Sequence, residues 1–141
     1  MTELNTQASA KPKIMLVDDE THNLDLLYRT FRRQFQIFKA ENAINALEIL
    51  AQEGEMAVII SDQFMPQMNG IEFLEKTLTP FPHTIRILLS GLGEDELEGG
   101  SQAIRQANIF KVITKPCNVD ELKTLVQEAI EIYQSAKQKN Q

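Results

Sequence analysis

The chain lacks most of the features that disulfide-stabilised, secreted or membrane-spanning proteins need. It has one cysteine, Cys117, which excludes an intrachain disulfide and fits a reducing cytoplasm. No apolar run approaches the ~20 residues that cross a bilayer. The N-terminus has neither the basic start nor the apolar stretch of a secretory signal. We therefore expect a cytoplasmic protein that does not contact a membrane.

Positive charge is also scarce. The chain has 14 lysines and arginines against 20 aspartates and glutamates, which gives a net charge of −6. Nucleic-acid surfaces need basic patches, because lysine and arginine hold the phosphate backbone. We therefore expect no nucleic-acid contact by this domain.

The 141 residues are enough for one domain with a single sizeable core. Residues 1–12 are polar and without pattern, which predicts a disordered lead-in. Residues 135–141 are expected to form a frayed C-terminal tail. The domain itself is expected to cover residues 13–134.

Between these two ends, short apolar runs alternate with stretches of helical periodicity. The apolar runs predict strands near residues 14–17, 36–40, 57–61, 85–89 and 109–114. Alternation of this kind predicts an α/β fold, in which a doubly wound (βα)5 chain forms a parallel sheet with helices on both faces.

Three of the predicted strands end in side chains that can bind a metal or a phosphate. Asp18 and Asp19 follow the first strand, Asp62 follows the third, and Lys115 follows the fifth. Ligands of parallel sheets bind beyond the carboxyl ends of the strands, so these residues should converge. Carboxylates suit Mg2+, and a carboxylate can attack phosphorus. Asp62 stands alone at its strand end, which suits a phosphoryl acceptor, whereas Asp18 and Asp19 suit the metal.

These residues, in this order, resemble the receiver domain of two-component response regulators, the CheY-like phospho-acceptor family. The similarity extends from about residue 13 to 134 and includes the run DQFMPQMNG over residues 62–70. The resemblance implies a flavodoxin-like fold with a five-stranded parallel sheet of order 2-1-3-4-5. It also implies phosphorelay signal transduction, in which a histidine kinase or phosphotransfer protein phosphorylates Asp62.

The resemblance assigns the metal ligands. Asp19 and Asp62 would bind Mg2+ directly, and Asp18 would act through a water molecule. The backbone carbonyl of Phe64 would complete the set.

The resemblance also assigns the phosphoryl-binding and switch residues. Ser90, followed by Gly91, would donate a hydroxyl hydrogen bond, and Lys115 would supply a point charge. Both Ser90 and Lys115 are expected to engage only after phosphorylation. The peptide bond before Pro116 is implied to be cis.

One position departs from the family pattern. The family usually has an aromatic residue three positions before the lysine, and here that residue is Val112. Phe110 is expected on the same strand face, since strand side chains alternate with period two. Either Phe110 takes over the aromatic relay or the relay is absent.

The segment after Ser90 is expected to be the moving part. A helix predicted over about 94–107 contains Gly99 and Gly100, and each glycine inside a helix costs about 1 kcal/mol relative to alanine. The resemblance implies that the fourth helix, fifth strand and fifth helix form the switching face. Homodimers would pair through this face on phosphorylation, and the output partner or output domain stays unknown.

We interpret the chain as a signalling switch and not as an enzyme. One alternative is a Mg2+-dependent phosphohydrolase, which typically needs a second acid two residues after its nucleophile. Phe64 occupies that place after Asp62. The other alternative is a receiver fold that binds a partner without phosphorylation, and Val112 leaves this hypothesis open.

Overall fold

The structure, a computed structural model, describes residues 11–139. Five parallel strands form one sheet in the order β2-β1-β3-β4-β5, which confirms the predicted topology. The strands are β1 (Lys13–Val17), β2 (Gln36–Ala40), β3 (Val58–Asp62), β4 (Ile85–Ser90) and β5 (Ile109–Thr114).

Five α-helices connect or follow the strands. They are α1 (Thr21–Phe31), α2 (Ala43–Glu53), α3 (Gly70–Lys76), α4 (Gly100–Gln106) and α5 (Val119–Lys139). A single 3-10 turn, Glu94–Glu96, precedes α4. Within residues 11–139 no helix is both long and apolar enough to cross a membrane.

The sheet separates two hydrophobic clusters because strand side chains alternate between its faces. On β1, Ile14 and Leu16 pack with α1 and α5, whereas Met15 and Val17 pack with α2, α3 and α4. All four side chains are essentially inaccessible to solvent. A central strand that is covered on both sides needs apolar residues in succession, which explains the unbroken Ile-Met-Leu-Val run.

Local signals set the starts of two helices. Asn42 caps α2 by accepting a hydrogen bond from the Asn45 N–H at 2.7 Å. Asn69 caps α3 in a reciprocal capping box with Glu72. Such caps satisfy amide groups that the first helical turn cannot pair by itself.

The fourth helix is shorter than the sequence predicts. Gly99 and Gly100 lie at its start and not in its interior. Gly99 precedes the first turn with φ of 82°, and Gly100 is the first residue of α4 with φ of 52°. Positive φ values favour glycine, so the pair sets the point where α4 starts. The expected weakening of a continuous helix over 94–107 is therefore wrong.

The fifth helix is longer than the sequence predicts. Residues 135–139 continue α5 and do not form a frayed tail. Glu55, in the loop before β3, accepts hydrogen bonds from the Tyr133 hydroxyl at 3.0 Å and from the Lys137 ammonium at 2.9 Å. These contacts hold the last turns of the helix against the domain. Most of the predicted N-terminal lead-in lies outside the described residues.

A buried arginine organises the loop that leads into β4. The Arg86 side chain is fully buried and donates to the Thr77 hydroxyl at 2.8 Å, the Thr84 carbonyl at 2.7 Å and the Phe81 carbonyl at 2.5 Å. Burial lowers the pKa of this guanidinium, yet arginine stays charged. Neutral acceptors alone compensate the buried charge within residues 11–139.

Candidate functional site

The carboxyl edge of the sheet brings three carboxylates together. Asp18 and Asp19 follow β1, and Asp62 is the last residue of β3. One carboxylate oxygen from each of the three residues lies within 4.8 Å of the other two. Asp18 and Asp62 are buried, whereas Asp19 is exposed. Two carboxylates of the cluster, Asp18 and Asp62, therefore lie in the interior of the domain, and Asp19 faces solvent.

Lys115 completes the cluster from the end of β5. Its Nζ lies 2.6 Å from Asp62 Oδ1, and its backbone N–H donates to the Ser90 carbonyl at 2.7 Å. The peptide bond between Lys115 and Pro116 is cis. The lysine thus already forms an ion pair with Asp62 in the unphosphorylated chain.

The charges in the cluster are unbalanced, because three carboxylates surround one ammonium. Burial raises the pKa of Asp62, and the like charge of Asp19 raises it further, although Lys115 opposes both effects. Burial also raises the pKa of Asp18. Burial lowers the pKa of Lys115, but its hydrogen bond to Asp62 and the surrounding carboxylates outweigh this, so the net shift is upward. The site as a whole favours added positive charge.

Asp18 is held in place by the start of α1. Its Oδ1 accepts the Glu20 N–H at 2.9 Å, and its Oδ2 accepts from Asn23 Nδ2 at 3.2 Å. Asn23 Nδ2 also donates to Glu20 Oε1 at 3.0 Å. These bonds fix the orientation of the Asp18 carboxylate.

Gln63 and Gly70 join the end of β3, where Asp62 lies, to the start of α3. The sequence pattern did not predict this role for them. Gln63 is buried, and its Oε1 and backbone oxygen accept the N–H groups of Ile71 and Gly70, both at 2.9 Å. A Cβ on Gly70 would collide with the Asp62 carbonyl oxygen and lie 2.8 Å from Leu88 Cδ1. The glycine at the predicted start of α3, eight residues after the candidate acceptor Asp62, was the signal in the sequence that could have predicted this close approach.

Ser90 ends β4 at the same edge and is fully buried. Its Oγ accepts the Leu92 N–H at 3.0 Å, which leaves the hydroxyl proton free to be donated. Gly91 follows in open space, since nothing would lie within 4 Å of an added Cβ. Phe64, whose carbonyl the resemblance assigns to the metal, lies in the irregular segment before α3 with its side chain 55% exposed.

Phe110 does not share a sheet face with Val112, so that expectation is wrong. Arg86 pairs with Ile109 and Ile87 pairs with Lys111, which leaves Phe110 as the extra residue of a β-bulge. A bulge shifts the alternation by one residue. Phe110 consequently packs on the cluster that α1 and α5 cover, whereas Val112 packs on the opposite cluster.

The donor set fits Mg2+. This cation takes oxygen ligands, usually one or two carboxylates with several waters. Asp18, Asp19 and Asp62 offer converging carboxylate oxygens, and the exposure of Asp19 leaves room for water. No histidine or cysteine belongs to this cluster, so its donors do not favour a softer metal.

A doubly wound sheet of this order, with acids and a lysine at its carboxyl edge, is the flavodoxin-like CheY receiver fold. A solved CheY-like receiver domain protein from Methanospirillum hungatei has the same fold, with a TM-score of 0.81 and 24% identity over 90% of this chain and 99% of that chain. The chain belongs to the response regulator receiver domain family, whose model matches residues 14–127. It is therefore a receiver domain of two-component systems.

Curated relatives support this assignment. The chain is 34% identical to the hydrogenase transcriptional regulatory protein HoxA of Bradyrhizobium diazoefficiens over 92% of its length, but it spans only 26% of that protein. It is 31% identical to sporulation initiation phosphotransferase F of Bacillus subtilis, covering 82% of this chain and 91% of that protein. The chain thus spans about a quarter of the first relative and nearly all of the second.

A second solved structure agrees. The signal receiver domain of an HD domain-containing protein from Pseudomonas fluorescens Pf-5 superposes with a TM-score of 0.80 and 30% identity. The similarity covers 89% of this chain and 98% of that one. Both the CheY-like receiver domain protein and the receiver domain of the HD domain-containing protein therefore share this architecture.

Proposed function

We propose that this receiver accepts a phosphoryl group on Asp62 from a histidine kinase or a phosphotransfer protein. The observation that carries the proposal is the cluster of three carboxylates and one lysine at the carboxyl edge of the sheet. Sporulation initiation phosphotransferase F, which the chain resembles over most of both lengths, supports a phosphotransfer role. The chain would act as a signalling switch and not as an enzyme that turns over a substrate.

The proposed reaction is a transfer between two nucleophiles. An Asp62 carboxylate oxygen attacks phosphorus, an O–P bond forms, and the N–P bond to the donor imidazole breaks. Lys115, at 2.6 Å from Asp62, is close enough to contact a phosphoryl oxygen. Asp19, Asp62 and the Phe64 carbonyl would hold Mg2+ directly, and Asp18 would act through a water molecule. The bound cation would neutralise negative charge on the phosphoryl group.

The energetic gain of the switch comes mainly from Ser90. Lys115 already pairs with Asp62, so its bond to a phosphoryl group replaces an existing interaction. A new charge-assisted bond from Ser90 contributes about 1.5–3 kcal/mol, which is a population shift between roughly tenfold and 150-fold. A shift from 1:99 to 99:1 needs about 5.5 kcal/mol. We therefore expect a graded response unless a partner stabilises the active state.

The donor protein would dock beside the cluster. A cleft of about 260 Å3 lies between α1 and the segment after β5, with Leu26, Leu89 and Pro116 among its lining residues. Leu26 is 48% exposed, although it is apolar. Docking there would cover Leu26 and bring a donor imidazole next to Asp62. We further propose that α4, β5 and α5 form the switching face and the surface for pairing between two phosphorylated copies.

The test uses Mg2+ with beryllofluoride, a phosphate mimic, and backbone amide NMR. We expect saturable shifts at Asp62, Ser90 and α4 in the wild type, and none in Asp62→Asn. Asp120→Asn, an exposed acid on α5, serves as the control and should behave like the wild type. Absence of shifts in the wild type would contradict phosphoryl acceptance.

The second candidate function is a binding module that works without phosphorylation. Val112 at the usual aromatic position, together with the bulge that turns Phe110 to the other face, favours it. In that case beryllofluoride would leave α4 unchanged even if Asp62 shifted.

A further inference from the structure

The free edge of the sheet next to β2 combines open backbone groups with unpaired cations. We infer that this edge is a docking surface for an extended acidic peptide segment of a partner protein, which adds to β2 as a sixth strand. The surface, called here the β2-edge groove, is about 500 Å3 in volume and is lined by Lys11, Tyr28, Arg32, Phe35, Gln36 and Ile37.

The backbone of β2 has hydrogen-bonding groups to offer. The Gln36 N–H donates to the Pro12 carbonyl at 2.9 Å, and the Ala40 carbonyl accepts from the Asp18 N–H at 3.1 Å. Both groups of β2 therefore point toward β1. Backbone groups of successive strand residues point to opposite sides. The N–H and C=O groups of Ile37 and Lys39 therefore point away from β1, and β2 pairs only with β1 within residues 11–139. An extended peptide can satisfy such an edge.

The side chains at the groove suit an alternating apolar and acidic peptide. Tyr28 and Ile37 are half-buried and Phe35 is buried, which gives the groove an apolar floor. Lys11 and Arg32 lie at its rim and are exposed. Lys11 Nζ donates to the Arg32 carbonyl at 3.4 Å, so it spans one end of the groove.

The charge of the surface is opposite to that of the whole chain. Lys11, Arg29, Arg32 and Arg33 form no ion pair with any carboxylate of residues 11–139, whereas the chain carries a net charge of −6. The nearby Lys39 pairs with Asp25 at 3.6 Å. Cations near the end of α1 complement the helix dipole, but this does not account for the open strand edge beside them. A surface with unpaired positive charges favours a negatively charged partner over a neutral or basic one.

The β2-edge groove is separate from the phosphoryl site. Its residues cluster at the amino end of β2, whereas Asp18, Asp19 and Asp62 follow the carboxyl ends of β1 and β3. Docking at the groove would therefore not require phosphorylation. It would tether a partner while the opposite end of the sheet switches.

The test uses a synthetic peptide of alternating glutamate and valine as the probe and the 141-residue chain as the receptor. We expect binding with a Kd of about 1 mM or tighter, and amide shifts and slowed hydrogen exchange at Ile37 and Lys39. Affinity should fall as salt rises, because the rim charges are exposed. Asp62→Asn should bind the peptide like the wild type, which separates this proposal from the phosphoryl acceptor.

Variants and competing probes make the test decisive. Reversal of two exposed charges, Arg32→Glu with Arg33→Glu, should weaken binding by roughly tenfold, while Arg105→Glu, an exposed cation on α4, should leave it unchanged. No shifts at Ile37 and Lys39, or equal binding of a glutamine–valine peptide, would overturn the proposal. Tighter binding of single-stranded oligothymidylate at the same residues would also overturn it, in favour of a general polyanion surface.

Discussion

The two ends of the parallel sheet bury charge in opposite ways. At the amino end, the guanidinium of Arg86 is fully buried and its hydrogen bonds go to hydroxyl and carbonyl groups of the loop before β4. At the carboxyl end, Asp18 and Asp62 are buried beside Asp19, and one lysine neutralises only part of the charge. The amino end satisfies its charge internally, whereas the carboxyl end keeps an excess of negative charge.

This difference separates residues that stabilise the fold from residues that make it responsive. A buried charge with saturated hydrogen bonds rigidifies its surroundings. A cluster with excess like charge is destabilised until a ligand binds, which is the common cost of a functional site. Four substitutions test the distinction.

Removal of Arg86 should have the largest effect. Arg86→Met leaves buried acceptors of Thr77, Phe81 and Thr84 without their donor, and we expect a loss of about 3 kcal/mol in the free energy of unfolding. Urea unfolding measures it. Arg105→Met, at an exposed position, should change the free energy by less than about 0.5 kcal/mol. Equal effects of the two variants would show that the amino end is not held by Arg86.

A methyl group at Gly70 should disturb the carboxyl end. Gly70→Ala places Cβ against the Asp62 carbonyl and Leu88, so we expect a loss of about 2 kcal/mol and weaker Mg2+ binding. The control is Gly91→Ala, because its Cβ would meet nothing within 4 Å. Unfolding curves with and without Mg2+ measure both effects. A Gly70→Ala protein that binds Mg2+ like the wild type would contradict a positioning role.

Neutralisation of Asp18 should increase stability in metal-free buffer. Asp18→Asn removes one like charge and one desolvated carboxylate, for a gain of about 1 kcal/mol at neutral pH. Burial raises the pKa of Asp18 above 3.8, so its carboxyl destabilises the fold as pH rises through the raised pKa. The variant should therefore lose less stability than the wild type between acidic and neutral pH. Parallel pH profiles of the two proteins would refute this charge imbalance.

The hydroxyl of Tyr133 should have the smallest effect. Tyr133→Phe removes the hydrogen bond to Glu55 near the amino end, at a cost of about 0.5–1 kcal/mol. Burial and the Glu55 carboxylate raise the pKa of Tyr133 to about 12, so ionisation disfavours the wild-type fold as pH rises from about 10 toward 12. The advantage of the wild type over the variant should shrink across that range. A constant difference in the free energy of unfolding between the two proteins across that range would contradict the contact between Tyr133 and Glu55.

The sequence predicted the fold because the apolar runs are clear within each strand and alternate regularly with helical stretches along the chain. Apolar runs such as Ile14–Val17 alternate with helical stretches, and this alternation leaves few topologies. The convergence of Asp18, Asp62 and Lys115 followed from one rule, that strands of a parallel sheet end at the same edge. Neither inference needed the position of a side chain.

Other features depended on contacts between distant residues. The last turns of α5 contact Glu55, which lies 78 residues before Tyr133 in the chain. The face of Phe110 is set by a bulge in the pairing with β4, which a period-two pattern does not reveal. The ion pair between Lys115 and Asp62 likewise exists in the unphosphorylated chain, and the strand-end pattern does not reveal this contact.

The sequence by itself determined the order of the strands, the acids and lysine at their ends, and the receiver family. Local periodicity and the strand-end rule suffice for the strands and for the convergence of the side chains at their ends, because both are properties of short segments. The resemblance to the receiver family supplied the strand order. Only the tertiary structure decided how charge is compensated: neutral acceptors around Arg86, and three carboxylates sharing Lys115. Compensation depends on distances between segments that are far apart in the chain, and no local pattern encodes those distances.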